Sequence, residues 1–195
     1  NLMRTMDQMR MRWMEEMVRR DNRMMDATLI GNLIRSIAFF ASTTILILLG
    51  LVTVLGAQAQ GTKLISAVPF ASGTSAFMWE VKILVLSLLF IYAFFKLTWS
   101  LRQYNYACIL VGAAPMPQEH NPNHMEYAHK VGKLVGNAGR HFNMGLRAYY
   151  FGLAAVSWFL NPVLFIVLTA LTVYVVFRRE FRSHAVNHIA GLEKA

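Results

Sequence analysis

The chain has 195 residues, 56% hydrophobic and 15% charged, with a mean hydropathy of +0.41 and a net charge of +9. Ordinary soluble domains carry about 25% charged residues, so little here is left to coat a separate water-soluble core. The basic residues flank apolar runs instead of forming one tract, which argues against a nucleic-acid partner and for a membrane protein obeying the positive-inside rule.

Residues 1–30 hold eight of the twelve methionines. Leu2, Met6, Met9, Trp13 and Met17 recur at helical spacing, with Arg4, Arg10, Arg12, Glu15, Arg19 and Arg20 on the opposite positions. The pattern predicts an amphipathic helix lying on headgroups or on its own protein. Its methionine stripe (Met6, Met9 and Met17 around Trp13) also offers a soft association surface. The first apolar span is predicted over 33–57, with Arg35 snorkelling at its start. Ser42, Thr43, Thr44 and Thr53 return their hydroxyls to carbonyls one turn back. Residues 58–78 read as a loop of small residues.

The second span runs from Trp79, continuing to about residue 101. Trp79 and Trp99 are spaced for two aromatic belts. Lys96 snorkels to the interface in the simplest reading, and Glu80 and Lys82 sit among headgroups. The chain then leaves the membrane. Residues 102–141 are predicted as a cytoplasmic loop, proline-rich over 112–124, followed by an amphipathic helix over 127–143. Gly132, Gly136 and Gly139 in that helix each cost about 1 kcal/mol against Ala. They imply a close backbone contact or a partly irregular helix.

No formal charge lies between Arg147 and Arg178, a stretch too long for one span. Asn161 is a good N-cap and Pro162 a tolerated first helical residue. Two antiparallel spans are therefore predicted, over 142–160 and 162–180. Gly145, Ala148, Gly152 and Ala155 line one face of the first, a stripe that lets membrane helices approach closely. Residues 183–195 are a short polar tail. Lysine plus arginine number seven in residues 1–35, two in 58–82, five in 102–147 and four after 177. Four crossings put every basic segment on one side, with the C-terminus in the cytoplasm.

Recognisable chemistry is scarce. Cys108 is the single cysteine, so no intramolecular disulfide forms. His184 and His188, and the set His120, His124 and His129, lack the further ligands that a metal would need, so no metal and no cofactor is expected. Phosphate-binding loops and nucleophile elbows are missing from the sequence. Arg102, Gln103, Asn105, Asn143 and Arg147 form the best polar group. It could clamp an anionic lipid or quinone headgroup, or else tie helix ends together.

The runs RDNRMMDATLIGN, FFASTTILILLGLVTVLGA, EVKILVLSLLFIYAFF, WSLRQYNYACILVGAAPM, FNMGLRAYYFGLAAVSWFLNP and VFRREF follow in order over nearly the whole chain. In these runs the chain resembles a bacterial inner-membrane family known as domain of unknown function number 599. The resemblance implies topology and no activity. It also implies a further apolar segment upstream of the basic N-terminal helix, and with Asn1 as first residue we expect a longer natural N-terminus. Lys96 departs from the small hydroxyl or apolar residue expected there.

The expected fold is an all-α polytopic transmembrane bundle with cytoplasmic amphipathic helices, divided into 1–30, a membrane domain over 31–182 and the tail. The expected function is non-enzymatic. The protein would act through association in the bacterial inner membrane, as a homo-oligomer or an accessory subunit, with the lipid bilayer as constant partner. A channel or small-solute transporter is the alternative, and a quinone- or lipid-binding subunit a weaker one.

Overall fold

The computed structural model describes residues 2–66, 75–117 and 123–181. His120, His184, His188, the tail, and parts of the two loops expected at 58–78 and 112–124 lie outside them. Among the described residues there is no strand. The elements are α1 (Leu2–Val18), α2 (Met24–Gly56), α3 (Gln58–Ser66), α4 (Ala76–Gly112), α5 (His124–Val156), one 3-10 turn (Ser157–Phe159) and α6 (Pro162–Phe181). Three helices, α2, α4 and α6, are long and apolar enough to cross a membrane.

The helices are longer than the hydropathy pattern predicts. α2 starts at Met24, where the Asn22 side chain accepts the first backbone N–H at 2.9 Å. α4 continues through Arg102 to Gly112. The amphipathic helix expected at 127–143 and the span expected from 142 are a single helix, the 33-residue α5. Arg140 and Arg147 change what surrounds the helix, but they do not break its backbone. A nine-residue α3 occupies part of the expected 58–78 loop.

The break at Asn161–Pro162 is where its residue types place it. Asn161 accepts the Val163 backbone N–H at 2.7 Å, and Pro162 opens α6. Near the far end of α6, Arg179 reaches Asn143 at 3.5 Å, so the chain that runs out along the second half of α5 returns along α6. Thr44 and Thr53 bond the carbonyls of Phe40 and Leu49, the expected one-turn return.

The chain divides into two compact units. Of the described residues, 2–39, 97–117, 123–143 and 178–181 form unit 1, and 40–66, 75–96 and 144–177 form unit 2. Unit 1 has a core of Met14, Met17, Ile30, Ile37, Leu97, Tyr104, Val111, Val131 and Val135. The core of unit 2 is built from Ala41, Trp79, Ile83, Leu86, Phe90, Ala93, Ala148 and Ala154.

Candidate functional site

In unit 1 the three glycines of α5 form the bed on which α1 lies. A Cβ on Gly132 would come within 3.2 Å of the Met11 Cα, and one on Gly136 within 3.2 Å of Asp7 Oδ1. At Gly139 a Cβ would meet the Arg10 guanidinium at 2.6 Å. This is the close contact that the glycine spacing implies. It accounts for residues whose propensity penalty is roughly 3 kcal/mol in sum.

Charge fixes the register of α1 on that bed. Asp7 is held by Arg10 at 3.0 Å and by Arg140 of α5 at 2.5 Å. Arg10 also bonds the phenol of the buried Tyr104. His129 meets Glu15 at 2.8 Å, and Glu180 accepts the Met3 backbone N–H at 3.4 Å. That last bond satisfies one of the orphan donors in the first turn of α1 and places a carboxylate at its positive end.

Asp26, fully buried at the start of α2, accepts from Trp13 Nε1 and Arg20 Nη1, both at 2.7 Å. Its Oδ2 is buried with no hydrogen-bond partner among the described residues. Arg23 donates to the carbonyls of Ala114 and Pro115, just beyond the end of α4. Tyr127 donates to the Leu110 carbonyl, and burial pushes its phenol above the ordinary value against the opposing charge of Arg23. Ser100 donates to the Ala138 carbonyl at 2.7 Å, joining α4 to α5.

Unit 2 is held differently. The Tyr149 hydroxyl lies 2.7 Å from both the Phe40 carbonyl and Thr44 Oγ1, in a triad where two hydroxyl protons serve three contacts, and its ring meets Phe40 and Phe90 edge-on. Gly152 lies under Phe90, whose ring would sit 2.7 Å from an added Cβ. Lys82 is 5% exposed, with its amine 5.6 Å from the Trp158 ring centroid and 5.7 Å from that of Phe159. Trp79 packs edge-on against Phe159 at 5.2 Å, and its own far ring edge faces Gly61. A desolvated cation–π contact is worth about 2 kcal/mol. Taking an ammonium out of water costs several kcal/mol.

Lys82 thus lies against aromatic rings, and Trp79 is a core residue at 3% exposure. Nothing near Lys82 in sequence announces this, because Trp158 and Phe159 come from the 3-10 turn that follows α5. Lys96 is half-buried, with its amine 5.3 Å from the Tyr92 ring.

The residues expected to clamp a headgroup differ in exposure and partners. Arg102 and Asn105 are exposed, whereas Gln103 between them is buried, with no partner for its Oε1 among the described residues. Asn143 is occupied by the Gly139 carbonyl and by Arg179, and Arg147 belongs to unit 2. Of the methionine stripe, Met17 is fully buried in unit 1, while Met6, Met9 and Trp13 are half-buried. The residues of α1 that lie on the glycines are Asp7, Arg10 and Met11, beside the stripe and not on it. Gly145, Ala148 and Gly152 are buried and Ala155 is half-buried, so this small-residue face packs within unit 2. No group of three histidine, cysteine or carboxylate side chains poised for a metal ion occurs among the described residues.

Over residues 1–185 the chain matches a family described as protein of unknown function, DUF599. No curated protein and no solved structure matches it.

Proposed function

For a chain that belongs to the DUF599 family, we propose a polytopic protein of the bacterial inner membrane that works by non-covalent association, pairing with a second copy of itself through α6. The observation that carries this reading is that α6 has no buried residue along its 20 residues. In α4, by contrast, 33% of the most apolar window is buried. α6 is about 30 Å long, the thickness of a hydrocarbon core. The contacts Glu180–Met3 and Arg179–Asn143 hold it at one end. From Pro162 to Phe177 it has no charged residue, so two copies meet there without repulsion or desolvation of an ion. Two-fold pairing is the commonest closed symmetry and needs only one self-complementary surface. Lysine and arginine placement supports an orientation with the 1–30 and 102–141 segments and the C-terminal tail in the cytoplasm. α1 and the first half of α5 are then the cytoplasmic amphipathic helices, and the second half of α5 is the fourth crossing.

The test is protein mass in lipid nanodiscs, joined to disulfide trapping in a Cys108→Ser background with single cysteines at Ile166, Val173 and Leu171. A dimer that cross-links along one face of α6 is expected. A lone 22 kDa protein in gentle conditions, with no α6 cross-link at any position, defeats the reading.

A further inference from the structure

We propose that Met6, Met9 and Trp13 of α1 form a binding site for a soft monovalent metal cation, Cu(I) or its redox-inert analogue Ag(I). Methionine is used in α1 beyond what packing asks. Apart from Leu2, Trp13 and Val18, every apolar residue of that helix is a methionine. After Met25 the chain uses only Met78, Met116, Met125 and Met144, and its buried positions there are filled by other apolar residues. Packing accounts for Met14 and Met17, which are fully buried, and for Met11, which lies on Gly132. Met6 and Met9 are half-buried and lie off the glycine bed.

Those two residues are three positions apart on one helix, so their Cβ atoms are roughly 5–6 Å from each other. Each stem has three rotatable bonds, enough to bring both sulfurs onto one ion. Trp13 follows one turn after Met9, and its indole is fixed by the bond from Nε1 to Asp26 Oδ1 at 2.7 Å. A ring held in place beside the sulfurs adds an aromatic face that attracts a cation. Thioethers are neutral and soft, so they take Cu(I) or Ag(I) and hold Zn(II) or Mn(II) poorly. Charge selects in the same direction. Without a carboxylate in the ligand set, a single positive charge is easier to hold than two. The nearby arginines oppose it little: Arg10, Arg19 and Arg20 are engaged by Asp7, Glu16 and Asp26, and Arg4 and Arg12 are exposed to screening solvent. This inference is independent of α6 pairing.

The experiment uses the full chain in mild detergent, in a Cys108→Ser background that removes the one thiol competing for Cu(I). The probes are ascorbate-reduced Cu(I) buffered by a chelator, Ag(I), and Zn(II) and Mn(II) for comparison. Binding is read by competition with the chelator and by native mass spectrometry. The parent chain is expected to retain one Cu(I) or Ag(I) and neither Zn(II) nor Mn(II). Met6→Leu and Met9→Leu exchange sulfur for carbon at nearly constant volume, so circular dichroism should not change. Each should weaken Cu(I) binding about tenfold, at least what loss of an outer-shell partner costs a metal site. Together they should abolish it, while Met14→Leu leaves it intact. Should the double variant not fold, copper-edge X-ray absorption of the parent chain decides, with two sulfur neighbours expected. A shell of nitrogen and oxygen alone, no retained Cu(I) or Ag(I), or binding unchanged in the double variant overturns the proposal.

Discussion

Unit 1 and unit 2 share four helices but not a way of holding together. In unit 1 a carboxylate stands at nearly every junction: Asp7 between two arginines, Asp26 between Trp13 and Arg20, Glu15 at His129, Glu180 at the start of α1. In unit 2 the junctions are a phenol on a carbonyl, rings meeting edge-on, and a glycine under a phenylalanine. Carboxylates account for the contrast, since only Glu80 falls in the sequence of unit 2. Directional charge fixes register but is screened by salt wherever water reaches it. Shape fixes register without charge, and tolerates no added volume.

The largest effect is expected where charge is most buried. Asp26→Ala removes the shared acceptor of Trp13 and Arg20, and should cost about 3 kcal/mol in unfolding experiments followed by circular dichroism in mild detergent. A loss near zero would show that the α1–α2 corner stands on its apolar contacts alone. In unit 2 the corresponding break is steric. Gly152→Leu drives a side chain into Phe90 and Leu89 and should cost about 2 kcal/mol. Particle mass in nanodiscs should follow that loss of fold rather than move ahead of it. A variant that stays folded but loses only its partner would mean that the face serves association after all.

Two milder changes sharpen the contrast between charge and shape. Tyr149→Phe removes the bonds to Phe40 and Thr44 and should cost about 1 kcal/mol, independent of salt. Asp7→Asn should cost a similar amount, about 1 kcal/mol at low salt, and less as salt rises, because Asp7 and Arg140 are partly exposed. Equal salt dependence of the two variants would erase the distinction. The smallest effect belongs to Glu126, fully exposed, whose carboxyl is held below its usual range by a hydrogen bond from Lys130 and by the charge of that lysine. Its depressed value means that any contribution is present above the ordinary carboxylate pKa and fades as pH falls through the lowered one. Glu126→Gln should leave the thermal midpoint unchanged at neutral pH.

Much of this was legible in local residue chemistry. Asn161–Pro162 states a helix start, and the glycine spacing of α5 states a close approach, because both messages lie within a few residues of the place they act on. Helix lengths were less legible. Hydropathy reports what surrounds a helix, and positions 101–102 and 142–143 were read as boundaries although helical backbone passes through both. The ring contacts of Lys82 were not legible at all, since Trp158 and Phe159 come from a distant part of the chain.

That separation also sets an order of events. The partners of Asp26 are 13 and 6 residues away, so at a synthesis rate of 5–20 residues per second the corner they make is available within roughly 1 to 3 s. Arg140, the partner of Asp7 on the glycine bed, is 133 residues further on, which at the same rate is a wait of roughly 7 to 27 s. Until Arg140 is made, α1 lacks the α5 surface against which Asp7, Arg10 and Met11 lie. The helix translated first among these is thus among the last to be protected.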